Sequence, residues 1–232
     1  MKTTSILLLI WLVVAAPAAV RGQFGCVTNA DGASVTITNY DGPGGDVTIP
    51  SQISGLPVTT IGASAFWNST ALTNVTIPAS VTNLGIYSFG QCFNLTNVFF
   101  MGNAPSEDDS FVIVASTNSG GAVWVTFSYI ATAYYLPSTI GWDAFSSNAN
   151  IPAILWNPQI QTNDGNFGAR SNQFGFDIAG TANIPFAVEA STNLAGSVWT
   201  QLQSLSLTNG LCYFGDSQWT NYPNRFYRIC PP

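Results

Sequence analysis

Histidine is absent from this sequence of 232 residues, and charged residues make up only 7% of it. The absence of histidine excludes Ser-His-Asp and Cys-His nucleophiles and imidazole metal ligands. Beyond residue 22 the chain has no lysine and only three arginines, against eleven acidic residues. Nucleic-acid affinity depends on basic side chains, so we expect no nucleic-acid partner. The composition favours a globular, non-enzymatic protein that uses no cofactor.

The amino-terminal segment has the pattern of an export signal. Lys2 precedes an uncharged apolar run over Ile6–Ala16, and small residues follow up to Gly22. This pattern predicts a signal peptide over residues 1–22. The apolar run is shorter than the roughly 20 residues that a membrane span needs. We therefore expect a mature chain without a transmembrane segment that is secreted, extracellular or held at the cell surface.

Part of the chain repeats itself at a spacing of 23 residues. Leu72 aligns with Leu95 and Asn74-Val75 with Asn97-Val98, while the sequence VTIP occurs at both Val47 and Val75. Recurrent aliphatic positions at such a period predict a solenoid in which each turn contributes a short strand. Within that strand, alternation places Val75 inward and its neighbour outward.

The segment VTIPASVTNLGIYSFGQCFNL, which begins at Val75, resembles the BspA-type leucine-rich repeats of bacterial surface and secreted proteins. We place full repeats at about 47–74 and 75–97, with a partial third from residue 98. The family includes adhesins, so the resemblance implies protein–protein or adhesive contact.

Caps are expected at both ends of this short repeat array. Ala33–Tyr40 and the strand at Val47 predict a hairpin that covers the first coil, because a glycine-rich turn separates them. Residues from Met101 to about Trp156 are predicted to cap the other end. Together these segments define a leucine-rich-repeat domain over residues 23–156.

A second domain is predicted after a polar linker. Residues 157–172 are polar and show no periodicity, which is typical of a linker. Residues 173–232 contain five strand-length runs separated by turn residues, a pattern that favours a small antiparallel β-sandwich. The predicted fold class is therefore mainly β: a capped leucine-rich-repeat solenoid followed by this sandwich.

The repeat register predicts one binding surface. Thr48, Thr76 and Phe99 occupy the same outward position of three successive strands, so they should form a row across the strand-lined face. Solenoids commonly bind partners through such a face. We expect an exposed Phe99 to anchor an extracellular protein or cell-surface ligand.

Exposed aromatic residues offer an alternative function. Trp67, Trp219 and Tyr222 are candidates for stacking on sugar rings, and the last two lie in a predicted loop of the second domain. This alternative is a carbohydrate-binding module that uses Trp219 and Tyr222 and has a polysaccharide as its partner. Core packing or loop anchoring is the competing role for each ring.

The four cysteines raise the question of disulfides in an exported chain. Cys212 and Cys230 are a candidate pair, because they lie in the last two predicted strands of a small domain that a bridge would stabilise. Cys26 and Cys92 can pair only if the cap folds onto the second coil, and two separate thiols are the alternative.

Acidic residues provide the remaining chemical candidates. Glu107, Asp108 and Asp109 form one group and Asp41 with Asp46 another, and carboxylate pairs serve glycosidases without histidine. The loop over Ser106–Ser110 is also rich in oxygen ligands of the kind that calcium prefers. Adjacent acids in a loop more commonly form a solvated turn, so we predict neither a catalytic pair nor a metal site.

Overall fold

The structure is a computed structural model that describes residues 23–107, 114–117, 123–126, 131–194 and 198–232. The predicted signal peptide at residues 1–22 lies outside the described residues. One compact unit ends at Leu155 and a second begins at Trp156. We call them the repeat unit and the carboxyl-terminal unit. Both consist mainly of β-strands.

Most strands of the repeat unit are short, as a repeat of about 23 residues requires. Its described elements are β1 (Phe24–Thr28), β2 (Val35–Tyr40), β3 (Gly45–Thr48), β4 (Gln52–Ile53), β5 (Leu56–Ile61), β6 (Leu72–Ile77), β7 (Asn83–Leu84), β8 (Asn97–Phe100), β9 (Ser106–Glu107), β10 (Val114–Thr117), β11 (Val123–Thr126), β12 (Thr132–Tyr135), α1 (Trp142–Ala149) and β13 (Ala153–Leu155).

A parallel sheet runs through the repeats in the order β13-β12-β8-β6-β3. Val47 pairs with Val75, and Val75 pairs with Val98. These are the residues that the sequence alignment superimposes, so the predicted register is confirmed. All three valines are buried, and stacked aliphatic side chains of this kind supply the hydrophobic stabilisation of the unit.

Parallel strands on a second side, β2, β5, β7 and β9, pair in the same succession. Turns between the two sheets are also hydrogen-bonded from one coil to the next: the amide of Phe66 donates to the carbonyl of Ser88 and the amide of Asn68 to that of Gly90, each at 2.8 Å. Adjacent coils are therefore joined by backbone hydrogen bonds at the turns as well as along the strands.

Aromatic rings fill the interior at the turn side of the coils. Phe66 stacks on Phe89 with 4.7 Å between ring centroids and on Tyr40 at 4.9 Å. Phe66 and Phe89 occupy equivalent positions of the two repeats, and both are fully buried. The N-terminal hairpin thus contributes Tyr40 to the same stack that the repeats continue.

The predicted amino-terminal hairpin is wrong in its pairing. β2 pairs antiparallel with β1, whereas β3, which contains Val47, joins the parallel sheet through β6. The turn between β1 and β2 is fixed by Asp31, whose Oδ1 accepts hydrogen bonds from the amides of Ala33 at 2.9 Å and Ser34 at 3.1 Å. An Asp that closes its own turn in this way favours a tight connection.

Helix α1 lies in the segment that the sequence predicts as a cap, although no helix was predicted there. Trp142 and Phe145 are buried and contact Phe100 of the core, with ring centroids 5.0 and 5.3 Å away. Their i, i+3 spacing places both rings on one helix face. No helix of the described residues has the length and hydrophobicity that crossing a membrane requires.

The described elements of the carboxyl-terminal unit are β14 (Gln159–Ile160), β15 (Gly168–Arg170), β16 (Gln173–Ala179), β17 (Pro185–Ser191), β18 (Thr200–Ser206), β19 (Leu211–Asp216), β20 (Phe226–Cys230) and single 3-10 turns at Thr208–Gly210 and Trp219–Asn221. All pairings are antiparallel, with β14, β15 and β19 joined to β16 and with β18 and β20 joined to β17. A strand lies at each of the five positions that the sequence predicts.

The predicted linker at residues 157–172 contains two of these strands. β14 and β15 both pair with β16, and the amide of Gln161 donates to the carbonyl of Asp177 at 2.8 Å. The backbone amides and carbonyls of β14 and β15 are hydrogen-bonded in the sheet. Short polar strands can form such pairs without the alternating apolar pattern that a buried strand shows. The segment is therefore part of the carboxyl-terminal unit.

Aromatic side chains from both sheets meet in the interior of this unit. Phe174 of β16 stacks on Tyr227 of β20 with 5.4 Å between centroids and 4° between ring planes. Phe176 and Phe214 pack beside them, and all four rings are buried. Contacts of this kind add to the stabilisation that burial supplies.

We expect Ser88→Ala to raise the free energy of unfolding by about 1 kcal/mol. Ser88 is fully buried, and its hydroxyl finds no hydrogen-bond partner among the residues that the structure describes. The equivalent position of the preceding repeat is Ala65, which is also buried. Urea unfolding of Ser88→Ala and of the original protein measures this difference in stability.

The reciprocal change Ala65→Ser serves as the control. It should lower the free energy of unfolding by about 1–3 kcal/mol, since it buries a hydroxyl at an apolar position. A loss of stability in Ser88→Ala would contradict this account and show that the hydroxyl is satisfied in solution.

Candidate functional site

The outward row predicted from the repeats has the expected register. Thr48 pairs with Thr76, Thr76 with Phe99, and Phe99 with Tyr134 of β12. Val98 belongs to the core cluster, so the alternation of the strand turns Phe99 to the opposite face. The row is thus one strand longer than the sequence predicts.

Phe99 is not an exposed anchor. Its relative exposure is 0%, and its ring stacks on Tyr134 with 5.0 Å between centroids and 18° between planes. Tyr134 is itself 6% exposed. The expectation was drawn from three strands and did not include β12, which places a second aromatic ring beside Phe99. The outward face is therefore closed at β8 and β12 and open at β3, where Thr48 is exposed.

A hydrogen-bonded row of polar side chains crosses the same face of the sheet, two residues before the Thr48–Thr76–Phe99 row on each strand. Asn97 Nδ2 donates to Asn74 Oδ1 at 2.6 Å, and Asn74 Nδ2 in turn donates to Asp46 Oδ1. Asp46 also accepts a hydrogen bond from the Thr73 hydroxyl at 3.1 Å. We call Asp46, Asn74 and Asn97 the amide row. Sequence reasoning aligned Asn74 with Asn97 but did not identify their contact.

The repeats themselves carry no formal charge. No Asp, Glu, Lys, Arg or His occurs between Asp46 and Glu107. Asp46 ends the amide row at its amino-terminal strand, and its carboxylate is held by the Asn74 amide. The hydrogen-bonding side chains of the repeats are therefore neutral amides and hydroxyls.

The structure gives the candidate sugar-binding rings packing contacts. Trp219 is half-buried, with its ring 6.1 Å from that of Phe174. Tyr222 is half-buried beneath Arg225, whose guanidinium carbon lies 4.0 Å from the ring centroid. Each ring thus has one side engaged by the protein, the loop-anchoring role that the sequence analysis left open.

Arg225 belongs to a buried network that the sequence analysis did not predict. Its Nε donates to Asp216 Oδ2 at 2.8 Å, and the Tyr227 hydroxyl donates to the same oxygen at 3.0 Å. The amide of Gln218 donates to Asp216 Oδ1 at 2.8 Å. Burial, followed by the Asp216 carboxylate, raises the pKa of Tyr227. The network fixes the loop that carries Trp219.

Cys212 and Cys230 are not bonded to each other. Cys212 belongs to β19, paired with β16, whereas Cys230 belongs to β20, paired with β17. Strand alternation places Cys212 on the same side of its strand as Phe214, and Cys230 on the opposite side of its strand from Tyr227. The structure thus has no bridge between the two candidate cysteines, which lie on strands of different sheets.

The other two cysteines are also free. Cys26 is exposed, whereas Cys92 is buried and its thiol donates to the carbonyl of Phe66 at 3.1 Å. Burial raises the pKa of the Cys92 thiol to about 11. Burial likewise raises the pKa of the Cys230 thiol, in the carboxyl-terminal unit, to about 12. Such thiols stay protonated at neutral pH and are poor nucleophiles.

The candidate acidic residues Asp41 and Asp46 have different hydrogen-bond partners. Asp41 accepts a hydrogen bond from the side chain of Asn39 at 2.6 Å, while Asp46 ends the amide row. Asp108 and Asp109 lie outside the described residues, as does the rest of the Ser106–Ser110 loop after Glu107, for which no metal site was predicted. Among the residues that are described, no group of three or more His, Cys, Asp or Glu side chains is placed to hold a metal ion.

Comparison with known families identifies the repeats. Residues 46–112 match the model of the BspA type leucine rich repeat region (6 copies). The resemblance that the segment from Val75 carries is thereby confirmed, and this part of the chain consists of BspA-type repeats. No curated protein matches the chain.

Three solved structures share similarity with the chain. A leucine rich cell surface protein from Faecalibacterium prausnitzii is 35% identical over 39% of this chain and 25% of its own, with a TM-score of 0.34. A leucine-rich repeat protein from Bacteroides capillosus is 30% identical over 36% of this chain and 64% of its own, with a TM-score of 0.33. The leucine rich repeat protein of T. pallidum is 18% identical over 52% and 71%, with a TM-score of 0.34. The chain thus spans a quarter of the length of the first and less than two thirds of the second.

We expect Phe99→Ala to destabilise the repeat unit by about 3–5 kcal/mol, because it removes a buried ring and leaves a cavity beside Tyr134. Urea unfolding measures this loss. Thr76→Ala, in the adjacent position of the same row, should change stability by no more than about 0.5 kcal/mol. An unchanged stability in Phe99→Ala would show instead that the ring is exposed in solution.

Alkaline pH should destabilise the repeat unit through Cys92. The unfolded thiol ionises near pH 9, whereas the buried thiol holds its proton to about pH 11. The unfolded state therefore binds fewer protons between these values, and stability falls by about 1.4 kcal/mol per pH unit from this residue. The contribution is intact below pH 9 and lost as the pH rises towards 11.

Cys92→Ser isolates this effect, since Ser69 occupies the equivalent position of the preceding repeat. The difference in unfolding free energy between the original protein and the variant should shrink by about 2 kcal/mol from pH 8.5 to pH 10.5. A difference that stays constant with pH would show that Cys92 is accessible to solvent.

Proposed function

We propose that this protein is a non-enzymatic binding protein, secreted or held at the cell surface, whose repeat unit contacts an extracellular protein or cell-surface ligand. The repeat unit is in this proposal a short capped solenoid, and the carboxyl-terminal unit a small β-sandwich. The BspA-type repeats at residues 46–112 support the binding role. The apolar run at Ile6–Ala16 supports export.

The observation that carries the proposal is the polar, hydrogen-bonded surface on the outward face of β3, β6 and β8. The amide row aligns three side chains across adjacent strands, and the exposed Thr48 and half-buried Thr76 lie beside it. Because the strands are fixed by the buried valines, these groups are held in place before a partner arrives. A preorganised surface loses less conformational entropy on binding.

Phe99 has no part in this surface, so the available area is smaller than the sequence predicts. Recognition then depends on hydrogen bonds to amide and hydroxyl groups, which give specificity when both partners are satisfied. Among the described residues, no group of side chains is placed to hold the metal ion that metal-assisted hydrolysis would need. Binding is the role that the described side chains support best.

The test is the binding of the purified protein to an array of purified extracellular and cell-surface proteins. We expect at least one protein to bind, and Thr48→Arg to weaken that binding at least tenfold by placing a bulky charge beside the amide row. Thr82→Arg is the matched control, because Thr82 is also an exposed threonine but adjoins β7 in the other sheet.

Binding that Thr82→Arg weakens as strongly as Thr48→Arg would contradict the assignment to the outward face. Failure to bind any protein on the array would contradict the proposed protein partner itself.

A further inference from the structure

Trp67 is a large exposed side chain in the turns of the repeat unit, on a different part of the coil from the amide row. Its relative exposure is 44%. Its indole meets the ring of Tyr87 from the next repeat edge-to-face, with 5.9 Å between centroids and 67° between planes. Two rings at this angle form a shallow corner that is open to solvent on the indole side.

The backbone beneath the indole holds it in position. Gly90 is buried, and a Cβ at this residue would lie 2.4 Å from the Cε3 carbon of Trp67. The amide of Gly90 donates to the carbonyl of Tyr87 at 2.8 Å, and its own carbonyl accepts from Asn68 at 2.8 Å. The indole therefore rests on a hydrogen-bonded turn that only glycine allows, and its orientation is set before any ligand binds.

The repeat itself does not require a tryptophan at this position. Gly90 is the residue that aligns with Trp67 at the 23-residue period, and the coil closes there without a side chain. Phe66 and Phe89, one residue earlier in each repeat, supply the buried aromatic stack. Trp67 is thus an addition to a turn whose core is already filled, and its indole packs on Gly90 while remaining 44% exposed.

The surroundings of Trp67 select the chemistry of a ligand. No formally charged residue occurs between Asp46 and Glu107, so phosphate, carboxylate and ammonium groups find no ion-pair partner in the repeats. An exposed amide follows Trp67 directly in sequence, at Asn68. Flat apolar surface next to neutral hydrogen-bonding groups matches a neutral sugar, whose ring has an apolar C–H face and a rim of hydroxyls.

We propose that Trp67 and Tyr87 form a binding subsite for a neutral carbohydrate, in which a pyranose ring stacks on the exposed face of the indole. This site goes beyond the protein-binding face proposed above and shares no residue with it. It also differs from the alternative at Trp219 and Tyr222, whose rings pack on Phe174 and Arg225.

Affinity electrophoresis in gels containing neutral polysaccharides tests the proposal, with mannan, soluble β-glucan, xylan and starch as probes and polygalacturonate as the anionic comparison. We expect retardation by at least one neutral polysaccharide and none by polygalacturonate. Trp67→Ala should weaken the retarding interaction at least tenfold. The retardation of the original protein should change little between 50 and 500 mM NaCl, since no ion pair contributes to it.

Two further variants separate stacking from loss of fold. Phe93→Ala removes another exposed aromatic ring, 41% exposed and in the repeat that contains Tyr87, and should leave retardation unchanged. Gly90→Ala keeps the indole but displaces it from its turn, so it should weaken retardation at least threefold. Thermal unfolding confirms that each variant is folded.

The proposal is overturned by failure of all four neutral polysaccharides to retard the protein, or by retardation that Trp67→Ala leaves intact. Retardation that Trp219→Ala abolishes while Trp67→Ala does not would move the carbohydrate site to the carboxyl-terminal unit. None of these outcomes affects the protein-array experiment, because Thr48 and Trp67 lie on different parts of the coil.

Discussion

The pairing of Val47 with Val75 and of Val75 with Val98 is the constraint on which the repeat unit depends. In a strand, neighbouring residues face opposite sides, so a slip of one residue would expose every buried valine and bury every polar neighbour. Burial of the valines therefore fixes where all outward groups lie. The amide row and the Thr48–Thr76 pair are consequences of a register that the core enforces.

The turns obey a second constraint that follows from the first. To return each coil to its stacked position, the chain adopts positive φ at Ser64 and Asn68 in one repeat and at Tyr87 and Gln91 in the next. Left-handed conformations cost free energy in residues other than glycine, and they persist only where the surrounding structure requires them. Here the hydrogen bonds between successive turns and the buried Phe66–Phe89 stack hold these residues in the left-handed conformation. The position of the Trp67 indole is thus determined by coil stacking.

Sequence reasoning located the strands of the repeats and the five main strands of the carboxyl-terminal unit, but it missed contacts that come from outside the repeating pattern. The 23-residue period gave the correct strand register, because each repeat samples the same local environment. The stacking of Phe99 on Tyr134 could not be predicted from it, since Tyr134 comes from a strand that lies beyond the repeats. Helix α1 left only a weak signal, the i, i+3 pair of Trp142 and Phe145. The strands at 157–172 left none, because sheet pairing and not apolar burial holds them.

The two units use charge differently, and this bears on what each can recognise. Arg225 and Arg228 of the carboxyl-terminal unit are paired with Asp216 and Glu189 at 2.8 and 2.6 Å, so their charges serve the local structure. The repeats have no charge to pair. In the proposed binding role, discrimination between partners comes mainly from shape and from the cost of leaving amides and hydroxyls unsatisfied. Selectivity then depends on how rigidly those groups are held, which the valine register determines for the amide row and the glycine turn for Trp67.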